Sequence, residues 1–133
     1  MNVEILALCD AATDTAGKLN ILGAFDTINV GKTPAKHPAC AVAVRLRFLQ
    51  SEVGTFNFRL VLIDADGGNL ISPLEGKLTV ALNPGFNTAS TNIIVNLQGL
   101  ELKRSGEYRI DFLVGGELKA SLPLYVKSIP TGQ

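Results

Sequence analysis

Apolar residues recur at every second position through most of the chain, and short clusters of Gly, Pro, Asn and Asp interrupt the rhythm. A period of two sends successive side chains to opposite faces of an extended strand, so the pattern predicts an all-β protein. Between residues 39 and 50, Cys40, Val42, Val44, Leu46 and Phe48 share one face, and Ala41, Ala43, Arg45 and Arg47 share the other. Residues 55 to 64 set Phe56, Phe58, Leu60 and Leu62 against Thr55, Asn57 and Arg59; residues 74 to 82 set Leu74, Leu78, Val80 and Leu82 against Glu75, Lys77 and Thr79. Residues 91 to 98 oppose Ile93, Val95 and Leu97 to Asn92, Asn96 and Gln98. Near the C-terminus Tyr108, Ile110, Phe112 and Val114 alternate with Arg109 and Asp111, and after Gly115 and Gly116 the alternation resumes from Leu118 to Val126. Two consecutive glycines supply the positive φ angles of a tight hairpin turn. Pro123 has no N–H, which places the last strand at an edge or at a bulge.

Two more strands open the chain, residues 2 to 10 and about 18 to 30. The first is apolar on both faces, with Ile5 and Ala7 on one side and Leu6 and Leu8 on the other, so it is covered twice or buried in a contact with another molecule. In the second, Leu19 and Ile21 differ in parity from Ile28 and Val30, which predicts a bulge or bend near Gly23. Loops are expected over 11–17, 31–38, 51–54, 64–73, 83–90 and 99–106. No window carries a capped helical pattern. Seven to nine strands predict a sandwich of two antiparallel sheets, with a jelly roll as the competing topology. The run Leu102-Lys103-Arg104-Ser105-Gly106-Glu107-Tyr108 favours an immunoglobulin-like Greek key, because a tyrosine opening a strand after a tight polar turn resembles a tyrosine corner. Residues 1–127 are then one domain, and 128–133 a frayed tail.

The composition narrows the functional classes. Twelve Lys and Arg balance twelve Asp and Glu in 133 residues, which argues against a nucleic-acid partner, since phosphate binding needs surplus cations. Hydrophobic residues are 47%, charged residues 18%, and mean hydropathy is +0.27, which excludes disorder and leaves an apolar surplus for a partner. That surplus concentrates at Ile5, Leu6 and Leu8 and at the flat pair Ala41 and Ala43, the expected interface for a second copy or another protein. No apolar run is long enough to span a membrane. Met1-Asn2-Val3-Glu4 carries no cationic leader region and no Asn sits in a glycosylation sequon, so the expected setting is the cytoplasm. Cys9 and Cys40 then read as buried free thiols.

The candidates for chemistry are few. Gly31-Lys32-Thr33 ends like a phosphate-binding loop, but Asp26 stands where the first glycine is required. Asp64 and Asp66 stand two positions apart on a tight glycine turn and are the best metal candidates, yet Gly68 and Asn69 break the calcium-loop pattern, so a β-turn is expected and no metal or cofactor is assigned. His37 is the sole histidine, between Lys36 and Pro38 in an expected loop, with no orienting carboxylate nearby in sequence. Asp26 and Asp111 are the candidates for a buried carboxylate pair. Arg45, Arg47, Arg59 and Arg109 could form a basic stripe, or cross-strand ion pairs with residues such as Asp111 and Glu75. Phe86 and Asn87, in the long polar loop, are the candidate ligand contacts.

Cys9-Asp10-Ala11-Ala12-Thr13, followed by Gly17-Lys18-Leu19-Asn20-Ile21-Leu22-Gly23-Ala24-Phe25-Asp26, resembles an uncharacterised family of small bacterial β-sandwich proteins, a domain of unknown function. The resemblance continues through the strands to the last hairpin. It implies a β-sandwich in an intracellular bacterial setting and transfers no catalytic residue. The expectation is a non-catalytic module that works through self-association or protein contact. The alternatives are a small-ligand or carbohydrate binder using end loops and, more remotely, a metal-dependent or carboxylate enzyme.

Overall fold

The structure is a computed structural model that describes residues 1–129. Among these residues nine strands form two packed sheets: β1 (Asn2–Thr15), β2 (Lys18–Ala24), β3 (Thr27–Val30), β4 (Ala35–Leu49), β5 (Gly54–Ile63), β6 (Leu74–Val80), β7 (Thr88–Leu102), β8 (Gly106–Val114) and β9 (Glu117–Ser128). One sheet runs β2-β1-β4-β7 and the other β3-β9-β8-β5-β6. Sequential strands switch between the sheets, β4 to β5 and β6 to β7 to β8, in the manner of an immunoglobulin-like Greek key rather than a jelly roll. The expected corner is present: the Tyr108 hydroxyl donates to the Arg104 carbonyl at 2.7 Å, and its ring is buried.

The inward positions of the alternating strands make the core. Val42, Val44, Leu46 and Phe48 of β4 face Leu60 and Leu62 of β5 and Ile110 and Phe112 of β8. Full burial of one such side chain contributes about 1.5–3 kcal/mol, which makes this layer the main source of stability. Gly115 and Gly116 both have positive φ and close a two-residue hairpin that pairs Val114 with Glu117. Pro123 lies where β9 has β8 on one side and no strand on the other, because β3 joins β9 only from Tyr125 onward.

Glu4 is an extra residue in β1, bulged between the pairs Val3–Leu46 and Ile5–Arg45, so Val3, Leu6 and Leu8 all pack toward the core despite their mixed parity. Gly23 does not end in a mere bend. Phe25 N–H donates to Leu8 in one sheet at 2.9 Å, and the next residue, Asp26, accepts from Tyr125 N–H in the other at 2.7 Å, so the chain changes sheet there. β3 then runs parallel to β9, an exception to the antiparallel rule of the sandwich. Residues 11–15 are strand rather than loop, as are 35–38, and only Ala16 and Gly17 turn. Ser128 belongs to β9 and Ile129 N–H reaches the Val30 carbonyl, so the expected frayed tail does not begin at 128; its residues 130–133 lie outside the described part.

Candidate functional site

Past Cys9 the β1–β2 hairpin leaves the sheet line and folds back over the outer face of β4. Its tip is held on β7, where Asn92 Nδ2 donates to Asp14 Oδ2 at 2.8 Å and to the Gly17 carbonyl at 3.2 Å; Arg45 Nη1 donates to that carbonyl at 3.3 Å. Ala12, Leu19 and Ile21 of the hairpin, with Ile94 of β7, cover Cys9, Ala41 and Ala43. Ala41 and Ala43 therefore do not form an exposed patch. They are 1% and 0% exposed, and their small side chains are what lets the hairpin lie so close. Leu8 is likewise buried, while Ile5 and Leu6 are half-buried.

The arginines read as a possible stripe are divided between the sheets, and each meets a carboxylate. Glu4, thrown outward by its bulge, bonds Arg45 at 3.1 Å and Arg47 at 2.9 Å, which holds its pKa below the ordinary glutamate value. Arg59 pairs with Glu75 at 2.8 Å, and Arg109 with Asp111 at 2.9 Å. Asp111 also accepts from Ser121 at 2.6 Å; Asp26 is exposed, and the two aspartates belong to separate networks.

The remaining chemical candidates are accounted for by local structure. Asp64 Oδ1 accepts the N–H groups of Asp66 at 2.9 Å and Gly68 at 3.0 Å, an Asx-type turn, and Asp66 pairs with Arg104 at 2.6 Å. Among the described residues no group of three or more metal-type side chains converges. His37 sits in β4 and not in a loop, its ring 5.9 Å from that of Phe25 and its Nε2 buried without a partner among the described residues. Cys9 and Cys40 are free and buried on opposite faces of the sheet, and burial pushes the Cys40 thiol up to about 11. Phe86 is 65% exposed and Asn87 is exposed beside it, but five surface grooves are lined by other residues. One of about 590 Å³ crosses the outer face of β5 and β6, lined by Asn57, Arg59, Glu75, Lys77, Leu113 and Gly116, with the backbone of Gly76 bare in its floor.

The sheet edges differ sharply in how they are protected. Free edges are templates for another strand unless charge, proline, a bulge or shortness blunts them. β1 carries the Glu4 bulge on its open stretch; β2, at the other end of that sheet, has seven residues, with Lys18 at its start and Gly23 at positive φ near its end; β9 carries Lys119 and Pro123; β6 carries Glu75 and Lys77; β3 has four residues. β7 has fifteen residues, pairs among the described residues only with β4, and is in register with it from Leu49–Thr88 to Ala35–Leu102, interrupted only opposite Pro38. It contains no proline, and no charged residue occurs between Lys77 and Glu101. Alternation alone does not single out β7, because central and edge strands alternate alike; this uncharged run is the sequence signal that marks it.

A family model described as "Family of unknown function (DUF6941)" matches residues 4–127, and the chain belongs to that family. No curated protein matches the sequence. Among solved structures, the Pseudomonas fluorescens alkylpurine DNA glycosylase AlkC, bound to DNA containing an abasic site analog, is similar over 96% of this chain and 30% of that one, with a TM-score of 0.52 and 14% identity. At that identity the likeness is one of fold, and the chain spans less than a third of that protein's length. No helix among the described residues is long and apolar enough to cross a membrane.

Proposed function

We propose that this DUF6941 member is a non-catalytic β-sandwich module that binds extended polypeptide by strand addition along the open edge of β7. The observation that carries the reading is the length and regularity of that edge strand and the absence of a charged residue from Thr88 to Leu100. Strand addition derives affinity from main-chain hydrogen bonds, which β7 offers along one whole side. A cytoplasmic setting fits two reduced thiols. The similar glycosylase is bound to DNA, but here the formal net charge is zero and the four strand arginines are already paired, which leaves no cationic stripe for phosphates.

The test pans a library of short unstructured peptides against the immobilised full chain and against Asn96→Lys/Gln98→Lys, two exposed positions on β7. Wild type retains peptides of alternating pattern that the variant loses; equal retention by both sinks the reading. A second reading, a binder of small polar ligands, draws on the 590 Å³ trough instead of Phe86 and Asn87. Arg59→Ala would abolish sugar or zwitterion binding under that reading and leave peptide capture intact.

A further inference from the structure

We infer that the occupant of the β7 edge is a second copy of this chain, added antiparallel about a two-fold axis near Ile94 to join two four-stranded sheets into one of eight. This deepens the strand-addition reading and rests on it. Three observations favour a second copy over a different polypeptide. First, the strand carries no charge of its own between Lys77 and Glu101, and the charged groups that touch it are already engaged, Arg45 and Arg47 with Glu4 and Asp14 with Asn92, so an acidic or basic partner gains little there and two copies of zero formal charge do not repel. Second, the flat part is self-complementary. Gly99, at φ 61, and Glu101 end the regular uncharged stretch, leaving Thr88 to Gln98 with Ile93 and Ile94 at its middle.

Pairing about Ile94 sets Asn92 opposite Asn96 of the second copy and Ser90 opposite Gln98 on the outer face, and Ile93 opposite Val95 on the inner. Polar groups meet polar groups while apolar meets apolar, the reciprocal arrangement an isologous interface requires. Third, the adjoining outer surface is rigid before a second copy arrives. Asn92 is clamped by Asp14, by Gly17 and by Arg45 Nη1, which donates to its Oδ1 at 3.0 Å, so little side-chain order remains to be lost on association.

Light scattering over a concentration series and amide hydrogen exchange of the full chain test the inference. Wild type is expected to pass from monomer to dimer, with β7 amides gaining protection as the dimer forms. Asn96→Lys puts a cation beside the Arg45–Asn92 pair of the second copy and is expected to weaken the dimer by ~10-fold or more. Asn96→Thr, neutral and strand-favouring, keeps it, and at concentrations where all are monomeric both variants melt like wild type because residue 96 is exposed. A wild-type monomer across the series overturns the inference, as does a dimer that survives Asn96→Lys. If the monomeric chain still captures peptides along β7, only the second copy falls and the strand-addition reading stands; if neither peptide nor copy binds there, both fall.

Discussion

Asn92 on β7 donates a 2.8 Å hydrogen bond to Asp14 near the tip of the β1–β2 hairpin, across 78 positions of sequence. With the bonds from Asn92 and Arg45 to the Gly17 carbonyl, it fastens the hairpin over Cys9, Ala41 and Ala43. The apolar surplus of β4 is thereby used within the chain, and the outward-looking face of the strand becomes a second, small core.

Asn92→Ala should loosen this clasp without unfolding the sandwich, because the main core lies on the other face of β4. The expected result is a melting temperature lower by a few degrees and a several-fold faster reaction of Cys9 with a thiol reagent. Cys40, in the main core, stays protected, and mass spectrometry of the labelled peptide distinguishes the two. Equal labelling of both thiols would mean global rather than local opening.

Gly76→Ala should be far more costly than its size suggests. A Cβ there would stand 2.4 Å from Phe58 Cζ, and the Phe58 ring is backed by Phe112 at a centroid distance of 6.1 Å. Overpacking of this kind costs about 1–3 kcal/mol. Denaturant unfolding of Gly76→Ala, Phe58→Leu and the double variant tests it: the double variant should be less destabilised than the sum of the singles.

Tyr108→Phe keeps the ring and deletes the hydroxyl that serves the Arg104 carbonyl. A partly buried acceptor left without its donor costs about 1–3 kcal/mol. The unfolding midpoint should drop while the denaturant dependence stays the same, since the surface exposed on unfolding does not change.

The pH dependence follows from four carboxylates held below their ordinary values: Glu4 by Arg47, Asp14 by Asn92, Glu52 by the N-terminal ammonium and Glu117 by Lys119. A depressed folded pKa contributes stability above the ordinary carboxylate range and loses it as pH falls through the folded value. The melting temperature is therefore expected to fall from about pH 5 to about pH 3, and less steeply in Glu4→Gln. On the alkaline side Cys40 has its pKa raised from 9.0 to about 11, so its contribution is present below 9.0 and disappears as pH rises toward 11. Cys40→Val should flatten that limb.

The features legible in the sequence are those decided by near neighbours. The core faces of β4, β5 and β8, and of β9 from Ala120 onward, follow from alternation, because strand geometry alone assigns odd and even positions to opposite sides; Leu118, expected in the same row, is 58% exposed because the β8–β9 register shifts beside it. Gly115 and Gly116 announce a hairpin through backbone freedom, and Tyr108 announces its corner through a turn four residues back. The pairing of Arg59 with Glu75 and of Arg109 with Asp111 was likewise within reach, since hairpin register or spacing along one strand brings them together.

What the sequence by itself determined is which side of each strand is apolar, where the chain must turn, and that no surplus of charge is present for a polyanion. Only the tertiary structure decided what lies against each side and which strands end a sheet. Alanines at 41 and 43 look the same whether they face solvent or a close-packed hairpin, because small apolar side chains suit both. Phe25 and Asp26 are bonded to different sheets although they are adjacent, a change of partner set by hydrogen bonds to Leu8 and Tyr125 far away in sequence. The same holds for β7: its residues fit a central strand as well as an edge, and its open side exists because no other part of the described chain pairs with it.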